Sequence, residues 1–483
     1  TGVIDGVSVV VLPTARLSAT YYDTADLRLT RSGLSLRYRV GTDESGWTLK
    51  LPDGPKGPLL VRREIQYEGG PKAVPAAATS MVRAYVRNAT LVPVGRLDTV
   101  RRRLALRDGI LQPLAEIDDD EVSIFEGRRV ASRFREIEVE LSADGSDALL
   151  EAVVDCLQQA GAGAPDPTPK IVRALGERAL TPPELTVANV DGDASTRDLV
   201  QATIAKGVAR LMRHDPGVRL GDDPEDVHQA RVATRRLRSD LRTFRRLLDD
   251  DWVASVRNEL KWVAAELGRV RDADVLSERL SQQASELPAV DAGGAAALLR
   301  KLAAERAAAL ADLAIAMDSP RYVDLVDDLV RAAAEPRLID KKGAERARDV
   351  VPGLVRRPWK HLAESVAAVV EDADDELLHE VRKRAKQCRY AAEAVVPVMG
   401  KPAGRLAAAV TGVQEVLGGL QDAVVAENWL RRAAAGGGAG ASARAVAAGQ
   451  LIARQEAEMA AARAGWKSAW KKASAKKLRA WTA

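Results

Sequence analysis

At 483 residues the chain is too long for one ordinary core, and two or more domains are expected. A hydrophobic share of 46% beside 29% charged residues is a globular composition, and no run of about 18 apolar residues offers a membrane span. Two cysteines, Cys156 and Cys388, exclude a disulfide framework or a cysteine-rich metal centre and point to a reducing cytoplasm. A net charge of +4 says little about partners, so the placement of the charge carries the information.

Up to about residue 145 the sequence alternates. The runs LSLRYRV (34–40), GWTLKLP (46–52), REIQYE (63–68), TVRRRLAL (99–106), PLAEIDDDEVSIF (113–125) and FREIEVEL (134–141) read as strands. Turn-forming Gly, Pro and Asp separate them, which predicts an antiparallel sheet or barrel. Alternation puts Arg37 and Arg39 on one strand face, with Lys50, Arg62, Arg63, Arg96, Arg101 and Arg103 on other strands. Glu136, Glu138 and Glu140 share a face, and so do Glu116, Asp118 and Asp120. Charges of both signs pointing inward cannot form a dry core. They imply either a water-filled lumen or the solvent side of an open sheet with cross-strand ion pairs. Such a lumen suits a phosphate chain held by Lys and Arg, with Mg²⁺ or Mn²⁺ on the carboxylates.

Pro, Gly and Asp crowd GAGAPDPTPK (161–170) and LTPPELTVANVDGDAST (180–196), marking a linker. The reading is a first domain over 1–178, a linker over 179–195 and a helical domain over 196–483. RRAAAGGGAGASARAV (431–446) breaks two late helices.

The helical half repeats. HQARVATRRLRSDL (228–241) overlays HEVRKRAKQCRYAA (379–392) at His, Arg, Arg/Lys and Arg, and LGRVRDAD (267–274) overlays LGGLQDAV (417–424) at Leu, Gly, Asp and Ala. The separations of 151 and 150 residues predict a duplicated unit, two packed four-helix bundles with approximate two-fold symmetry. At 100° per residue His228, Arg231, Arg235, Arg238, Arg242, Arg245 and Arg246 fall in roughly a 100° arc, opposite Leu237, Leu241 and Leu247. The second copy presents His379, Arg382, Lys386 and Arg389 in the same way. A cationic stripe of ~23 Å repels itself unless counter-charged. The planar guanidinium fork suits phosphate, and a histidine adds a pH-dependent donor. A solvated arginine face is the bland alternative for either stripe alone; duplication favours a polyanion site. Nucleic acid is disfavoured, because aromatics are 4% of the chain and no stacking residue interleaves the first stripe. GWKSAWKKASAKKLRAW (465–481) mixes Trp with Lys, but reads equally as a last helix closing the bundle.

ATYYDTADLRLTRSGLSLRYR (19–39) followed by WTLKLP (47–52) resembles the CYTH domain of the triphosphate tunnel metalloenzymes. VHQARVATRRLRSDLRTF and LHEVRKRAKQCRYAAEAV resemble the two signature helices of the CHAD domain, the conserved-histidine α-helical domain. The resemblance implies an α+β, two-domain chain: an eight-stranded antiparallel tunnel that binds or hydrolyses triphosphate with Mg²⁺ or Mn²⁺, then helical bundles that bind inorganic polyphosphate. It implies Arg37, Arg39, Lys50, Arg63, Arg96 and Arg101 as triphosphate ligands and Glu116, Asp118, Glu136, Glu138 and Glu140 as metal ligands, with Lys50 and Glu138 catalytic. His228, Arg231, Arg235, Arg238, Arg242, His379, Arg382, Lys386 and Arg389 become polyphosphate ligands. The family's opening strand carries an ExExK motif, and the residues before Ala19 supply only Asp5 and no lysine. The carboxylate set is therefore expected to be partial, and a non-enzymatic polyphosphate scaffold stands beside the inorganic triphosphatase as a reading. Nucleic-acid binding is the third.

Overall fold

A computed structural model describes residues 4, 6–42, 45–52, 62–339, 342–369, 375–436 and 440–482. The chain divides into two compact units, Thr1–Glu184 and Leu185–Ala483.

The first unit is built on β1 (Ser8–Asp23), β2 (Ser35–Gly41), β3 (Ser45–Pro52), β4 (Arg62–Tyr67), β5 (Val92–Arg107), β6 (Pro113–Glu126) and β7 (Arg129–Leu141). They form one antiparallel sheet in the order β4-β3-β2-β1-β5-β6-β7. Among the described residues the sheet has seven strands and is open, with β4 and β7 at its edges, where the family resemblance implied a closed tunnel of eight. The sequence reading missed β1 because Pro13 interrupts it. Proline cannot donate to a ladder, and the register with β5 shifts between Leu12 and Ala15, where it sits.

Period-two alternation then decides the faces. Across β5, β6 and β7, Arg101 stands opposite Asp120 and Asp120 opposite Glu136; Arg103, Asp118 and Glu138 form the next row, and Glu116 pairs with Glu140 beyond it. The same face on the other side carries Tyr21 opposite Arg37, and Lys50 opposite both Ser35 and Glu64. At the fold's entry turn the buried Asp23 carboxylate accepts from the Leu29 and Thr30 amides at 2.9 and 2.8 Å and from Thr30 Oγ1 at 2.7 Å. That acid of the YYDT stretch is therefore structural.

Short helices α1 (Arg28–Arg31), α2 (Ala76–Met81) and α3 (Arg83–Val86) fill loops, and α4 (Asp147–Gln159), α5 (Lys170–Leu175) and α6 (Glu177–Leu180) follow the last strand. Ser146 caps α4, accepting from the Leu149 amide. Ile171 of α5 is buried against Ala19, Tyr21, Leu97 and Val122 of the sheet, which fixes its neighbour Lys170.

The second unit is helical: α7 (Thr196–Leu220), α8 (Pro224–Thr243), α9 (Asp250–Ala284), α10 (Ala292–Asp318), α11 (Pro320–Ala334), α12 (Ala347–Ala367), α13 (Asp375–Ala394), α14 (Val396–Met399), α15 (Lys401–Ala434) and α16 (Ala441–Ala473). Packing runs α7 on α8, α8 on α9 and α9 on α10, and is repeated as α12 on α13, α13 on α15 and α15 on α16. The copies meet through matched helices, α8 on α13 and α10 on α16. Their shared core joins Leu276, Leu280 and Leu298 to Trp429, Leu430 and Leu451. The cationic stripe is shorter than the wheel implied. Helix α8 ends at Thr243, and Arg245 turns away in a 3₁₀ segment to pair with Asp250 at 2.7 Å. No helix among the described residues is long and apolar enough to cross a membrane.

Candidate functional site

One face of the sheet, together with α4, residues 160–169 and α5, lines a half-open cavity of about 1710 Å³. One wall is cationic, with Arg37, Arg39, Lys50 and Arg62; the other carries Arg101 and Arg103 beside Glu116, Asp118, Glu136, Glu138 and Glu140. The arrangement is a lumen bearing both signs on opposing walls.

The acidic wall is knitted by two cations. Arg101 forks onto Asp120 at 2.8 and 2.7 Å, reaches Glu138 at 2.9 Å and pairs with Asp118. Lys170 Nζ lies 2.6 Å from Asp120, 2.8 Å from Glu136 and 2.9 Å from Glu138. Burial opposes the charge on Lys170, but Glu138, Asp120 and Glu136 outweigh it and hold its pKa above the usual ammonium range. Arg101 is held up likewise, by Asp120 first. Asp118 goes the other way: burial, then the neighbouring Glu116 and Asp120, push its carboxyl up to about 6 despite Arg101.

These residues suit a divalent cation. Oxygens of Asp120, Glu136 and Glu138 lie within 4.8 Å of one another, all are hard carboxylate donors, and Asp118 Oδ1 is buried without a hydrogen-bond partner among the described residues. The Lys170 ammonium stands among the same three carboxylates, so a metal and this side chain are rivals for the same charge.

Of the residues named from sequence, Arg37, Arg39, Lys50, Arg101 and all five of Glu116, Asp118, Glu136, Glu138 and Glu140 line the cavity. Two do not. Arg63 stands opposite Leu51, on the other parity from Lys50 and Glu64, and Arg62 lines the cavity in its place. Arg96 is of opposite parity to Arg101; it pairs with Asp98 at 3.2 Å and covers the Phe125 ring at 5.1 Å. Asp120 belongs to the cluster through the alternation that gave Asp118. Lys170 escaped notice because it ends a Pro/Gly-rich stretch read as linker, whereas it opens a helix. Asp5 lies outside the described residues.

In the helical unit the two signature helices lie side by side and their cationic faces converge. Arg231 and Arg235 of α8 meet Arg382, Lys386 and Arg389 of α13, and burial first, then these neighbouring cations, depress the proton affinity of Arg235, Arg382 and Lys386. Burial first, then Arg382 and Arg235, bring Lys386 down to about 7. The Nε atoms of Arg235, Arg382 and Arg389 are shut off from solvent with no acceptor among the described residues. Arg231 is steadied by Asp272 at 2.7 Å and Arg382 by Asp422 at 3.9 Å, which gives the duplicated Leu-Gly-…-Asp motif its role. Arg389 lies over Tyr390 at 4.6 Å and 3.5 Å from Glu393, which also pairs with Arg236. Burial, then Arg271, lowers the pKa of His228, while His379 Nδ1 bonds Gln421. The C-terminal tryptophans are packed inward, Trp470 stacking on Trp359 at 5.4 Å, and Arg479 covers Trp359 at 4.9 Å.

A CYTH domain family model matches residues 5–174 and a CHAD domain model residues 202–431. Over 448 residues, 89% of this chain, the sequence is 33% identical to the uncharacterized protein Rv2226 of Mycobacterium tuberculosis, of which it covers 84%. Among solved structures, PptA from Streptomyces chartreusis is similar at 27% identity and a TM-score of 0.49, over 58% of this chain and 100% of that one. The CHAD domain from the plant Ricinus communis is similar at 29% and 0.47, over 59% and 96%. The chain belongs to the family of proteins in which a CYTH domain is followed by a CHAD domain.

Proposed function

We propose that this protein binds inorganic polyphosphate in the groove between α8 and α13, and takes a triphosphate or short-chain phosphate into the cavity of the first unit. The observation that carries the reading is the convergence of five cations from duplicated helices, three of them with buried donors lacking acceptors. Cations held together against their own repulsion are a standing demand for an anion, and polyphosphate supplies closely spaced oxygens for forked guanidinium donors. Arg231, Arg235, Arg382, Lys386 and Arg389 would form the grip, with His228 and His379 at its margin and Arg238 and Arg242 beyond.

In the cavity Arg37, Arg39, Lys50 and Arg62 would neutralise the phosphate oxygens, facing Glu116, Asp118, Asp120, Glu136, Glu138 and Glu140. Mg²⁺ or Mn²⁺ on those carboxylates would supply Lewis-acid polarisation of a phosphoryl oxygen. Lys50, paired with Glu64, would exchange that partner for phosphate on binding. Arg101 would hold Asp120 and Glu138 in place for the cation. One observation favours a second reading, a phosphate-binding scaffold without hydrolysis: Lys170 already neutralises three of the carboxylates.

Two measurements test the pair. Polyphosphate binding by the full chain should drop steeply in R235E/R382E with helical content kept, and affinity should fall with salt through counterion release. Undiminished binding by that variant removes the groove. Phosphate release from tripolyphosphate with Mg²⁺ or Mn²⁺ separates hydrolase from scaffold.

A further inference from the structure

The two copies differ at one end of the groove. On α8 the row Arg231, Arg235, Arg238, Arg242 runs i, i+4, i+7, i+11 along one face, about 16 Å of helix. In the matched row of α13 the residues are Arg382, Lys386, Arg389 and Glu393, so the last cation is replaced by an acid. The neighbouring helix differs in the same sense. Arg257 of α9 stands beside Arg238, Arg242 and Arg245, and the 150-residue offset puts buried Ala407 at its counterpart on α15. Burial and then Arg242 lower the proton affinity of Arg238, burial and then Arg384 of α13 that of Arg242, and burial and then Arg242 and Arg238 that of Arg257. The Nε atoms of Arg238 and Arg257 are buried without an acceptor, and neither side chain has an ion-pair partner among the described residues. At the matched position of α13 Glu393 is held between Arg236 and Arg389, so that end offers a carboxylate where the other offers the Arg242 guanidinium.

We infer that the groove is a one-ended track: a bound polyphosphate continues from the central cluster past Arg238, Arg242 and Arg257, while Glu393 closes the other exit. The inference rests on polyphosphate as the groove's ligand and adds a direction and a length preference to it. Duplication alone would make the site two-sided; these substitutions between the copies break its symmetry. Chains that fill the centre only would ignore the extension, whereas long chains would place further phosphates on it. The chain end, met at Glu393 by a carboxylate instead of a cation, would lie in the centre.

The test compares tripolyphosphate with long-chain polyphosphate by titration calorimetry on the full chain carrying Lys50→Ala and Arg62→Ala, so that tripolyphosphate taken up by the cavity of the first unit does not mask the groove. R238Q/R242Q/R257Q should lower long-chain affinity at least about tenfold more than tripolyphosphate affinity, and the salt slope for long chains should become shallower by about 2, three phosphate contacts being lost. R235Q/R382Q should lower both ligands together. As a second variant that adds rather than removes affinity, E393Q should strengthen long-chain binding more than tripolyphosphate binding. Equal losses for both ligands in the triple variant, or no gain in E393Q, overturn the one-ended track. Failure of R235Q/R382Q to affect either ligand instead overturns the groove as the site.

Discussion

Lys170 Nζ lies 2.6 Å from Asp120 Oδ2, in the middle of three carboxylates that would otherwise repel one another. The lysine is 13% exposed, and its helix is anchored by buried Ile171, so the ammonium is delivered rather than arriving by chance. A tethered cation gives the cluster a counter-charge that needs no metal. It also sets a cost for loading one, since the metal must displace an ion-paired group.

Lys170→Met should therefore do two opposite things. Without metal the variant loses stability, by about 3 kcal/mol if it behaves like other broken buried pairs. With Mn²⁺ in excess its melting temperature should rise more than that of the parent, because the divalent ion no longer has to displace the Lys170 ammonium from the three carboxylates. Thermal unfolding with and without Mn²⁺ measures both, and a smaller metal-induced rise than in the parent rules out competition.

Glu138→Gln removes one ligand of that cluster and a hydrogen-bond acceptor of Arg101. The metal-induced rise in melting temperature should vanish, together with any hydrolysis of tripolyphosphate. Lys50→Ala should weaken tripolyphosphate binding and leave the metal-induced rise in place, since Lys50 pairs with Glu64 rather than with the cluster. If Lys50→Ala abolished the metal response, the separation of the two walls would be wrong.

Adjacent arginines on β4 offer a test of parity. Arg62 lines the cavity and Arg63 stands on the opposite face. Arg62→Ala should weaken tripolyphosphate binding by roughly 1 to 3 kcal/mol, a charge-assisted contact, and Arg63→Ala by much less. Calorimetric titration of both variants decides it.

Those two residues also show where sequence reading stops. Alternation within one strand is enough to group Glu136, Glu138 and Glu140, or Arg37 and Arg39, because side chains two apart share a face whatever the sheet does. It does not say which face of a strand looks inward, and Arg62 and Arg63 are both charged, so hydrophobicity could not break the tie. Arg96 failed for the same reason, its parity being opposite to that of Arg101. The helical groove was more legible: one periodicity set the cationic face, and duplication showed it twice. Glu393 was invisible as a gate because its meaning lies in the comparison with Arg242. Lys170 was hidden by composition, since helix α5 spans six residues and follows three prolines in PDPTP.

Lys386 yields the last prediction. Burial among Arg382, Arg235 and Arg231, with Asp422 the nearest opposing acid, brings its pKa from 10.5 down to about 7. Asp272 of α9 pairs with Arg231 at 2.7 Å, and Tyr390 and Arg389 complete the surroundings. The unfolded chain keeps its proton up to about 10.5, so between pH 7 and 10.5 the unfolded state binds more protons. Stability of the empty protein should therefore rise with pH across that window, and the penalty should be fully present below pH 7. A polyanion reverses the preference, favouring the charged ammonium and raising its pKa. Polyphosphate should then bind more weakly as pH rises past 7, and binding at pH 8 should take up a proton. Calorimetry in two buffers of different ionisation enthalpy counts that proton. Lys386→Arg, charged throughout, should bind without proton uptake and with a flatter pH profile, while His228→Gln should leave the uptake at pH 8 intact. Absence of uptake in the parent at pH 8 would mean that Lys386 is already protonated in the empty groove, and the neutral-lysine account would fail.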